Sequence, residues 1–152
     1  MSTEKITIYT DGAARGNPGP GGYGVVMLFG KHRKELSQGF RRTTNNRMEL
    51  LAVIVALESI KEPKYPVHIY TDSKYVCDSI DKGWLDGWIK INFKNKKNPD
   101  LWKRFLAVRG KFDIHMHWVK GHAGNKENER CDELATEAAD YGNLLIDEGY
   151  EA

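Results

Sequence analysis

The chain has little cysteine and no long apolar run, and both absences narrow the kinds of protein it can be. Its two cysteines, Cys77 and Cys131, lack the paired spacing of a zinc site. Both fall in helical patterns, so we interpret them as small buried hydrophobic residues rather than as a disulfide scaffold. The longest apolar run, residues 50–57, is too short to span a bilayer. The first residues show no basic-then-apolar signal pattern, and we therefore expect a cytoplasmic location.

The net charge is also small, but the charges are unevenly distributed. The sequence has 23 basic and 21 acidic residues, which gives a formal net charge of +2. Residues 82–111 are rich in lysine and arginine, with only Asp86 and Asp100 to oppose them, whereas residues 140–152 have acids and no bases. Such a basic segment is the electrostatic pattern expected of a nucleic-acid-binding protein.

The chain length of 152 residues suits one domain with a proper core. We expect a single domain over residues 1–152, with its core at about 5–141 and an acidic C-terminal tail at about 142–152. Hydrophobic alternation predicts strands, and apolar stripes at helical spacing predict helices. The predicted strands are about 5–10, 23–29, 32–40, 67–71 and 114–119. The predicted helices run from the capping residues 43–46 to about 57, then 73–81, 100–108 and 126–140.

The order of these elements, βββαβαβα, predicts the fold class. Short connections make the first three strands an antiparallel meander, and the later strand–helix units add crossover connections. We therefore expect an α/β fold with a mixed sheet and helices on its faces. The glycine-rich residues 12–22 are expected to form a turn, and Gly83 and Gly87 are expected to break the chain after the second helix.

A four-residue motif occurs twice and is the strongest functional signal. Residues 8–11 and 69–72 both have the sequence Ile-Tyr-Thr-Asp, each at the end of a predicted strand. If the two strands lie side by side and parallel, Asp11 and Asp72 meet at one edge of the sheet, where ligands bind in open α/β sheets. Because adjacent carboxylates repel, such a pair requires a shared proton or a cation.

Two further acids can join this pair. Glu49 is expected in the first turn of the buried first helix, and Asp132 lies beside the apolar stripe of the last helix. Oxygen-rich sites select hard cations such as Mg²⁺ or Mn²⁺. Two such ions about 3.5–4 Å apart can activate water and stabilise a leaving oxygen in phosphodiester cleavage.

Each acid also has a purely structural interpretation. Asp11 can be a turn former before a glycine, and Asp72 can cap the helix that follows it. Glu49, three residues after Asn46, can belong to a capping box, and Asp132 can be an ordinary surface acid. No single structural role explains the four acids together with the basic segment.

His122 lies between glycines just after the fifth predicted strand. A histidine in a flexible loop near a phosphodiester site can transfer protons at neutral pH, although a lone loop histidine is more often a surface residue. His115 and His117 alternate along the strand itself. We interpret those two as ordinary strand residues and not as metal ligands.

Several ordered motifs together resemble type 1 ribonuclease H of the bacterial kind. The resemblance covers about residues 5–141, and the motifs are long and specific. They are residues 9–12, 16–24, 43–50, 70–73, 118–124 and 128–132.

The resemblance implies an endonuclease that hydrolyses the RNA strand of RNA–DNA hybrids and leaves 3′-hydroxyl and 5′-phosphate ends. It implies a five-stranded mixed sheet with the first and fourth strands adjacent and parallel. The family uses two Mg²⁺ ions, with Mn²⁺ as a possible substitute. By that likeness Asp11 bridges the ions, Asp132 helps to hold the ion that activates water, and Glu49 and Asp72 help to hold the other. His122 matches a mobile histidine that aids proton transfer or product release.

The same resemblance implies that a monomer binds the hybrid and that no membrane is involved. It also implies which residues contact each strand. Amide side chains complement the 2′-hydroxyl that distinguishes RNA. The implied RNA contacts are Asn17, Asn45 and Asn46, and the implied DNA-phosphate pocket is Arg42, Thr44 and Asn98. Aromatic residues interleaved with lysines match the family's basic protrusion. The implied contacts there are Trp84, Trp88, Lys94, Lys96 and Lys97. The alternatives are turn or cap formation by the asparagines and inward packing of the tryptophans.

Two rival functions belong to other classes. A hybrid-binding module without catalysis would keep the basic segment but lose acids, whereas all four are present. A related nuclease of the same fold, such as a DNA recombinase or integrase domain, would lack the protrusion and the three asparagines. The departures from the family pattern are modest: Lys74 replaces a glutamine of some members, and the acidic tail matches weakly.

Overall fold

The structure is a computed structural model that describes residues 4–120 and 125–151. The chain order begins with three strands and continues with alternating helices and strands, as the sequence predicts. The strands are β1 (Ile6–Ala14), β2 (Gly19–Phe29), β3 (His32–Thr43), β4 (Val67–Thr71), β5 (Ile114–Trp118) and β6 (Leu144–Leu145). The helices are α1 (Asn45–Glu58), α2 (Lys74–Asp81), α3 (Trp84–Lys90), α4 (Pro99–Arg109), α5 (Lys126–Tyr141) and α6 (Glu148–Glu151).

All the strands described belong to one mixed sheet in the order β5-β4-β1-β2-β3-β6. Strands β1, β2 and β3 pair antiparallel, whereas β1, β4 and β5 pair parallel. The predicted α/β mixed sheet and the adjacency of the first and fourth strands are therefore confirmed. The sheet has one strand more than expected, because the two-residue β6 pairs parallel with the edge strand β3. So short and exposed a strand has no sequence signal of its own.

The first two strands are longer than the sequence predicts. They continue pairing through the glycine-rich segment, from Asp11 opposite Gly24 to Ala14 opposite Gly21. The interpretation of residues 12–22 as a turn is therefore wrong for most of the segment. The glycines serve packing instead, because a Cβ built on Gly24 would lie 2.2 Å from the Cys131 carbonyl oxygen of α5. Helix α5 can approach the sheet closely only where the strand has no side chain.

Two apolar clusters lie on opposite faces of the sheet. The larger cluster packs the mostly buried helix α1 and part of α4 against one face. The smaller cluster joins Val26 of β2 to Cys131 and Leu134 of α5. Val25, the neighbour of Val26, belongs to the larger cluster, as the alternation of side chains along a strand requires. The expectation of helices on both faces is confirmed, and both cysteines are buried and free.

Local capping explains where the helices near the sheet edge begin. The Thr44 side chain accepts a hydrogen bond from the Arg47 amide to start α1, and the Ser73 side chain accepts one from the Val76 amide to start α2. Gly83 separates α2 from α3 with a positive φ of 75°. The prediction that Gly87 also breaks the chain is wrong, because Gly87 lies inside α3. Within the described ranges, no helix has the length and apolar character needed to cross a membrane.

Candidate active site

The two acids of the repeated motif are placed by neighbouring parallel strands. The pairing of β1 with β4 ends at Tyr9 opposite Tyr70, and β4 itself ends one residue before Asp72. Asp11 lies within β1 and its carboxylate accepts a hydrogen bond of 2.9 Å from the Gly12 amide. It is therefore not a turn former. Asp72 is not the cap of α2, since Ser73 fills that position.

The third acid reaches this edge from α1. Glu49 is the fifth residue of the helix and lies in its second turn, so the expectation of a first-turn position is wrong. The capping-box alternative also fails, because the third residue of the helix is Arg47 and the capping residue is Thr44. Gly12 allows the close contact, since a Cβ there would lie 2.4 Å from the Glu49 amide nitrogen.

The four acids line one cleft. One carboxylate oxygen from each of Asp11, Glu49 and Asp72 lies within 4.8 Å of the others. Asp132 of α5 lines the same cleft, which has a volume of about 370 Å³. Three carboxylates at this spacing form a group that could hold a metal ion.

Burial and mutual repulsion determine the protonation of the cluster. Burial raises the pKa of Asp11 from 3.8 to about 7, and repulsion from the Asp72 carboxylate acts in the same direction. Burial, followed by repulsion from Asp11 and Asp72, raises the pKa of Glu49 well above its usual value. The Asp11 and Glu49 carboxyls lie close together, and their raised pKa values favour a shared proton. A divalent cation entering the cleft would compete with that proton.

A second cavity adjoins the acidic cleft. Asn45 and Asn46 line the cleft, and Asn46 also lines the second cavity, which has a volume of about 620 Å³. The second cavity contains two residues of the predicted phosphate pocket, Thr44 and Asn98, together with Asn17. The Asn17 side chain accepts a hydrogen bond of 3.1 Å from the Asn45 amide, so the predicted RNA contacts form one connected group.

The third residue of the predicted phosphate pocket has an unexpected neighbour. The guanidinium carbon of Arg42 lies 5.9 Å from the ring centre of Tyr150, which lines the second cavity. Arg42 is thus linked to the cavity through a residue of the C-terminal tail. The sequence did not single out Tyr150, because the tail matches the family only weakly.

The basic protrusion consists of α3 and the loop after it. Trp84 is 46% exposed, and Lys94, Lys96 and Lys97 are exposed in the loop. Trp88 is partly buried, with its ring centre 5.8 Å from that of Trp102 in the core. Packing therefore occupies much of Trp88, as the alternative interpretation anticipated. The Lys96 ammonium lies 5.6 Å from the centre of its ring.

The remaining predicted residue, His122, lies outside the described residues. Next to the acids lie Trp118 and Lys74, which are not among the predicted site residues. The Trp118 indole donates a hydrogen bond of 3.0 Å to the Asp72 carbonyl oxygen. The Lys74 ammonium lies 4.8 Å from the Trp118 ring centre, and Lys74 lines the acidic cleft. Neither contact follows from spacing, because β4, α2 and β5 meet only in the folded chain.

Fold and site together define a class. The ribonuclease H-like nucleases share this architecture. It is a mixed sheet with two parallel central strands, helices on both faces and a carboxylate cleft at the end of those strands. Comparison with known proteins identifies the family within this class. A family model for ribonuclease H (RNase H) matches residues 3–140. The chain therefore belongs to the ribonuclease H family and is an enzyme, a metal-dependent nuclease.

Individual relatives agree with that assignment. The chain is 58% identical over 149 residues to a ribonuclease H of Desulforamulus reducens, covering 95% of this chain and 93% of the relative. It is 55% identical over 152 residues to a ribonuclease H of Syntrophus aciditrophicus, covering 97% and 87%.

Solved structures give the same result. LC9-RNase H1, a type 1 RNase H with the type 2 active-site motif, has a TM-score of 0.83 and 31% identity, over 99% of this chain and 81% of that chain. LC11-RNase H1, solved in complex with an RNA/DNA hybrid, has a TM-score of 0.68 and 30% identity, over 90% and 97%. The resemblance expected from the sequence is confirmed.

Proposed function

We propose that the protein is an endonuclease that hydrolyses the RNA strand of RNA–DNA hybrids. The reaction would use two divalent cations, and Mg²⁺ is the cation that we propose. The products would carry 3′-hydroxyl and 5′-phosphate ends. The observation that carries the proposal is the meeting of Asp11, Glu49 and Asp72 within 4.8 Å beside a family-typical fold. A relative of similar fold was solved with an RNA/DNA hybrid, which supports this substrate class. All the residues involved come from one chain, so a monomer suffices.

The residues of the cleft fit hard cations. The Glu49 Oε2 atom is buried and has no hydrogen-bond partner among the described residues. A buried carboxylate oxygen without a partner is costly, and a cation would satisfy it. The charge is also appropriate, because burial and then repulsion between the acids raise the pKa values of Asp11 and Glu49, and a bound cation would favour their charged forms.

Each acid then has a separate role. Asp11 interacts electrostatically with the other three acids, so we propose that it would help to hold both cations. Glu49 and Asp72 would help to hold one cation, and Asp132 would help to hold the one nearest the attacking water. Bound cations would supply Lewis acidity, lowering the pKa of that water and stabilising the leaving oxygen. His122 would transfer a proton or assist product release, as the resemblance implies.

The two cavities suggest how the hybrid lies. Asn17, Asn45 and Asn46 present amides between the acidic cleft and the second cavity, where they can read the RNA 2′-hydroxyl. Thr44 and Asn98 in the second cavity, with Arg42, would receive a phosphate of the DNA strand. The exposed Trp84 and the loop lysines, with Trp88 beneath them, would extend this contact along the duplex.

The direct test is cleavage by the Asp11→Asn variant. We expect this change to reduce cleavage of a labelled hybrid in Mg²⁺ by about three orders of magnitude or more, because several kcal/mol of transition-state stabilisation depend on the bridging carboxylate. Hybrid binding should remain largely intact. Asp113→Asn is the matched control, since Asp113 is an exposed acid at the start of β5. Undiminished cleavage by Asp11→Asn would contradict the mechanism.

A substrate panel separates the rival functions. The wild-type protein should cleave a hybrid in Mg²⁺ and leave all-RNA and all-DNA duplexes intact, and EDTA should abolish the cleavage. Binding without cleavage in Mg²⁺ or Mn²⁺ would indicate a hybrid-binding module. Cleavage of the all-DNA duplex would indicate the recombinase or integrase class.

A further inference from the structure

The C-terminal tail returns to the nucleic-acid-facing side of the molecule. After α5, residues Leu144 and Leu145 pair with Gly39 and Phe40 of the edge strand β3. This pairing directs the following residues toward the end of β3, where α1 begins. The tail therefore ends beside the cavity that contains Thr44.

A buried ion-pair network fixes the tail there. Arg47 donates hydrogen bonds of 2.7 and 2.9 Å to the two carboxylate oxygens of Asp147. The Thr43 hydroxyl donates a further bond of 2.7 Å to Asp147. Arg47 also binds both carboxylate oxygens of Asp100, at 2.9 and 2.7 Å. Because the Arg47 side chain is only 3% exposed and Asp147 only 9%, the bonds between them are shielded from solvent and hold the tail in one position.

Close packing then brings Tyr150 to the cavity. A Cβ on Gly149 would lie 1.8 Å from the Asp100 Oδ2 atom, so the tail backbone lies directly against α4. The next residue, Tyr150, lines the 620 Å³ cavity together with Thr44 and Asn98. Its ring centre lies 5.9 Å from the guanidinium carbons of both Arg42 and Arg47. The cavity remains open beside the tail, with a volume in the range of ligand sites.

The charges at this cavity identify the cations available to a ligand. Arg47 faces two carboxylates, Asp100 and Asp147, and its charge is more than balanced. Among the described residues, the cations left to attract an anion here are Lys97, which lines the cavity, and Arg42, which contacts the ring of Tyr150 beside it. Arg42 is an exposed residue of the edge strand, and the face of the Tyr150 ring is the contact that can hold its guanidinium toward the cavity.

We propose that Tyr150 is a positioning residue of the DNA-strand phosphate site. Its ring holds the Arg42 guanidinium beside the cavity, where the guanidinium can bind a phosphate oxygen. The acidic C-terminal tail is thus part of the substrate-binding surface, anchored by Asp147. The inference rests on the proposed function, because it assigns a further residue to the site that would bind the DNA strand.

The test uses hybrids in which one DNA linkage at a time is an uncharged methylphosphonate. Affinity is measured in EDTA, so that no strand is cleaved. The wild type should lose affinity when the neutral linkage is at one particular position. Tyr150→Ala should bind the unmodified hybrid about three- to tenfold more weakly, the range expected when the cation–π contact that positions Arg42 is lost. It should also lose most of its sensitivity to the neutral linkage.

Three other variants make the result specific. Tyr150→Phe keeps the ring and should retain most of the sensitivity to the neutral linkage. Arg42→Ala should reproduce the Tyr150→Ala effect, and the double variant should be little worse than either single one. Tyr141→Ala is the matched control, because that tyrosine lies at the end of α5 and is 86% exposed. It should behave as the wild type.

The outcomes separate this inference from the proposed function. If the wild type shows no preference for hybrid, or no sensitive linkage, the proposed function or its phosphate site fails. If the wild type has a sensitive linkage and Tyr150→Ala is equally sensitive, only the role of Tyr150 is overturned. Tighter binding by Tyr150→Ala would also overturn it, since the tail would then obstruct the cavity. If Tyr150→Ala does not fold, Tyr150→Phe and Arg42→Ala decide by the same comparison.

Discussion

At the scale of single residues, the acidic cleft holds carboxyl groups whose charged forms are unfavourable in the folded protein without cations. Asp11 and Glu49 have raised pKa values because burial disfavours their charged forms and neighbouring acids repel them. The proposed function needs both side chains as carboxylates, whereas without cations a proton shared between them lowers their mutual repulsion. The residues that would hold cations are therefore the ones that destabilise the protein when cations are removed.

The raised pKa of Asp11 predicts that the stability of the cation-free protein depends on pH. The pKa of Asp11 in the folded protein is about 7, above its ordinary value of 3.8, so its contribution to stability is complete below about pH 4 and is lost as the pH rises through 7. In EDTA at pH 8, Asp11→Asn should be more stable than the wild type, by about 3 kcal/mol. Thermal unfolding at pH 8 and pH 4 checks this.

The difference should shrink toward pH 4, where Asp11 of the wild type is protonated in both states. Asp113→Asn should show no comparable gain at pH 8. Equal stability of Asp11→Asn and the wild type at pH 8 would contradict the burial argument.

At the scale of elements, glycines decide how closely helices approach the sheet. Helix α5 lies directly over Gly24 of β2, and helix α1 lies directly over Gly12 of β1. Gly87 in α3 is different, because a Cβ there would meet nothing within 4 Å. The same residue type thus has opposite roles in two elements.

Alanine substitutions should separate these roles. Gly24→Ala should lower the free energy of unfolding by about 3 kcal/mol or more, because its methyl group collides with the α5 backbone. Gly87→Ala, the matched control, should raise it by about 0.5–1 kcal/mol, as expected for a helix interior. Denaturant titration measures both. If Gly24→Ala left the free energy of unfolding unchanged, α5 would be able to move away from the sheet at no cost.

The loop after α3 should determine the salt dependence of hybrid binding. Replacing Lys94, Lys96 and Lys97 with glutamine should flatten the plot of log affinity against log salt, with a slope reduced by about 2–3 if all three contact phosphates. A second triple variant at Lys31, Lys34 and Lys61 provides the control, because it removes equal charge near the opposite end of the sheet. Equal slopes in the two variants would show that the loop is not the contact.

At the scale of the whole molecule, the Arg47 network connects distant parts of the chain. Arg47 of α1 binds Asp147 across 100 residues of sequence and Asp100 across 53. Hydrogen bonding to Arg47 lowers the pKa of Asp100, so this pair contributes stability at neutral pH that is lost on acidification. The network therefore connects the C-terminal tail, α1 and α4 in the folded protein.

Removing the tail carboxylate should be costly. Asp147→Ala should destabilise the protein by about 3 kcal/mol, because it leaves Arg47 and the Thr43 hydroxyl buried with fewer partners. Glu148→Ala is the control, since this neighbouring acid is exposed and should change stability by no more than about 0.5 kcal/mol. Calorimetric or chemical unfolding distinguishes the two. Equal stability of the variants would show that Arg47 is satisfied without the tail.

The sequence predicts elements whose signals are local. The stripe of α1, the short strand β4 and the stripe of α5 appear within a few residues of their expected bounds, because each depends on one periodicity and its caps. The extension of β1 and β2 through the glycine-rich segment was missed, since strand glycines and turn glycines are identical in sequence. Glu49 lies two residues further into the helix than expected because Thr44, rather than Asn46, is the cap.

The sequence alone determined the family and predicted that four acids meet at one edge of the sheet, because a repeated strand end and long specific motifs are visible in one dimension. The tertiary structure decided what surrounds them. It placed Trp118 against Asp72, Asn46 between two cavities, and Tyr150 beside Arg42. These contacts join residues far apart in the chain, and no periodicity or spacing encodes them. They form only when helices and tail pack against the sheet with a particular register and closeness.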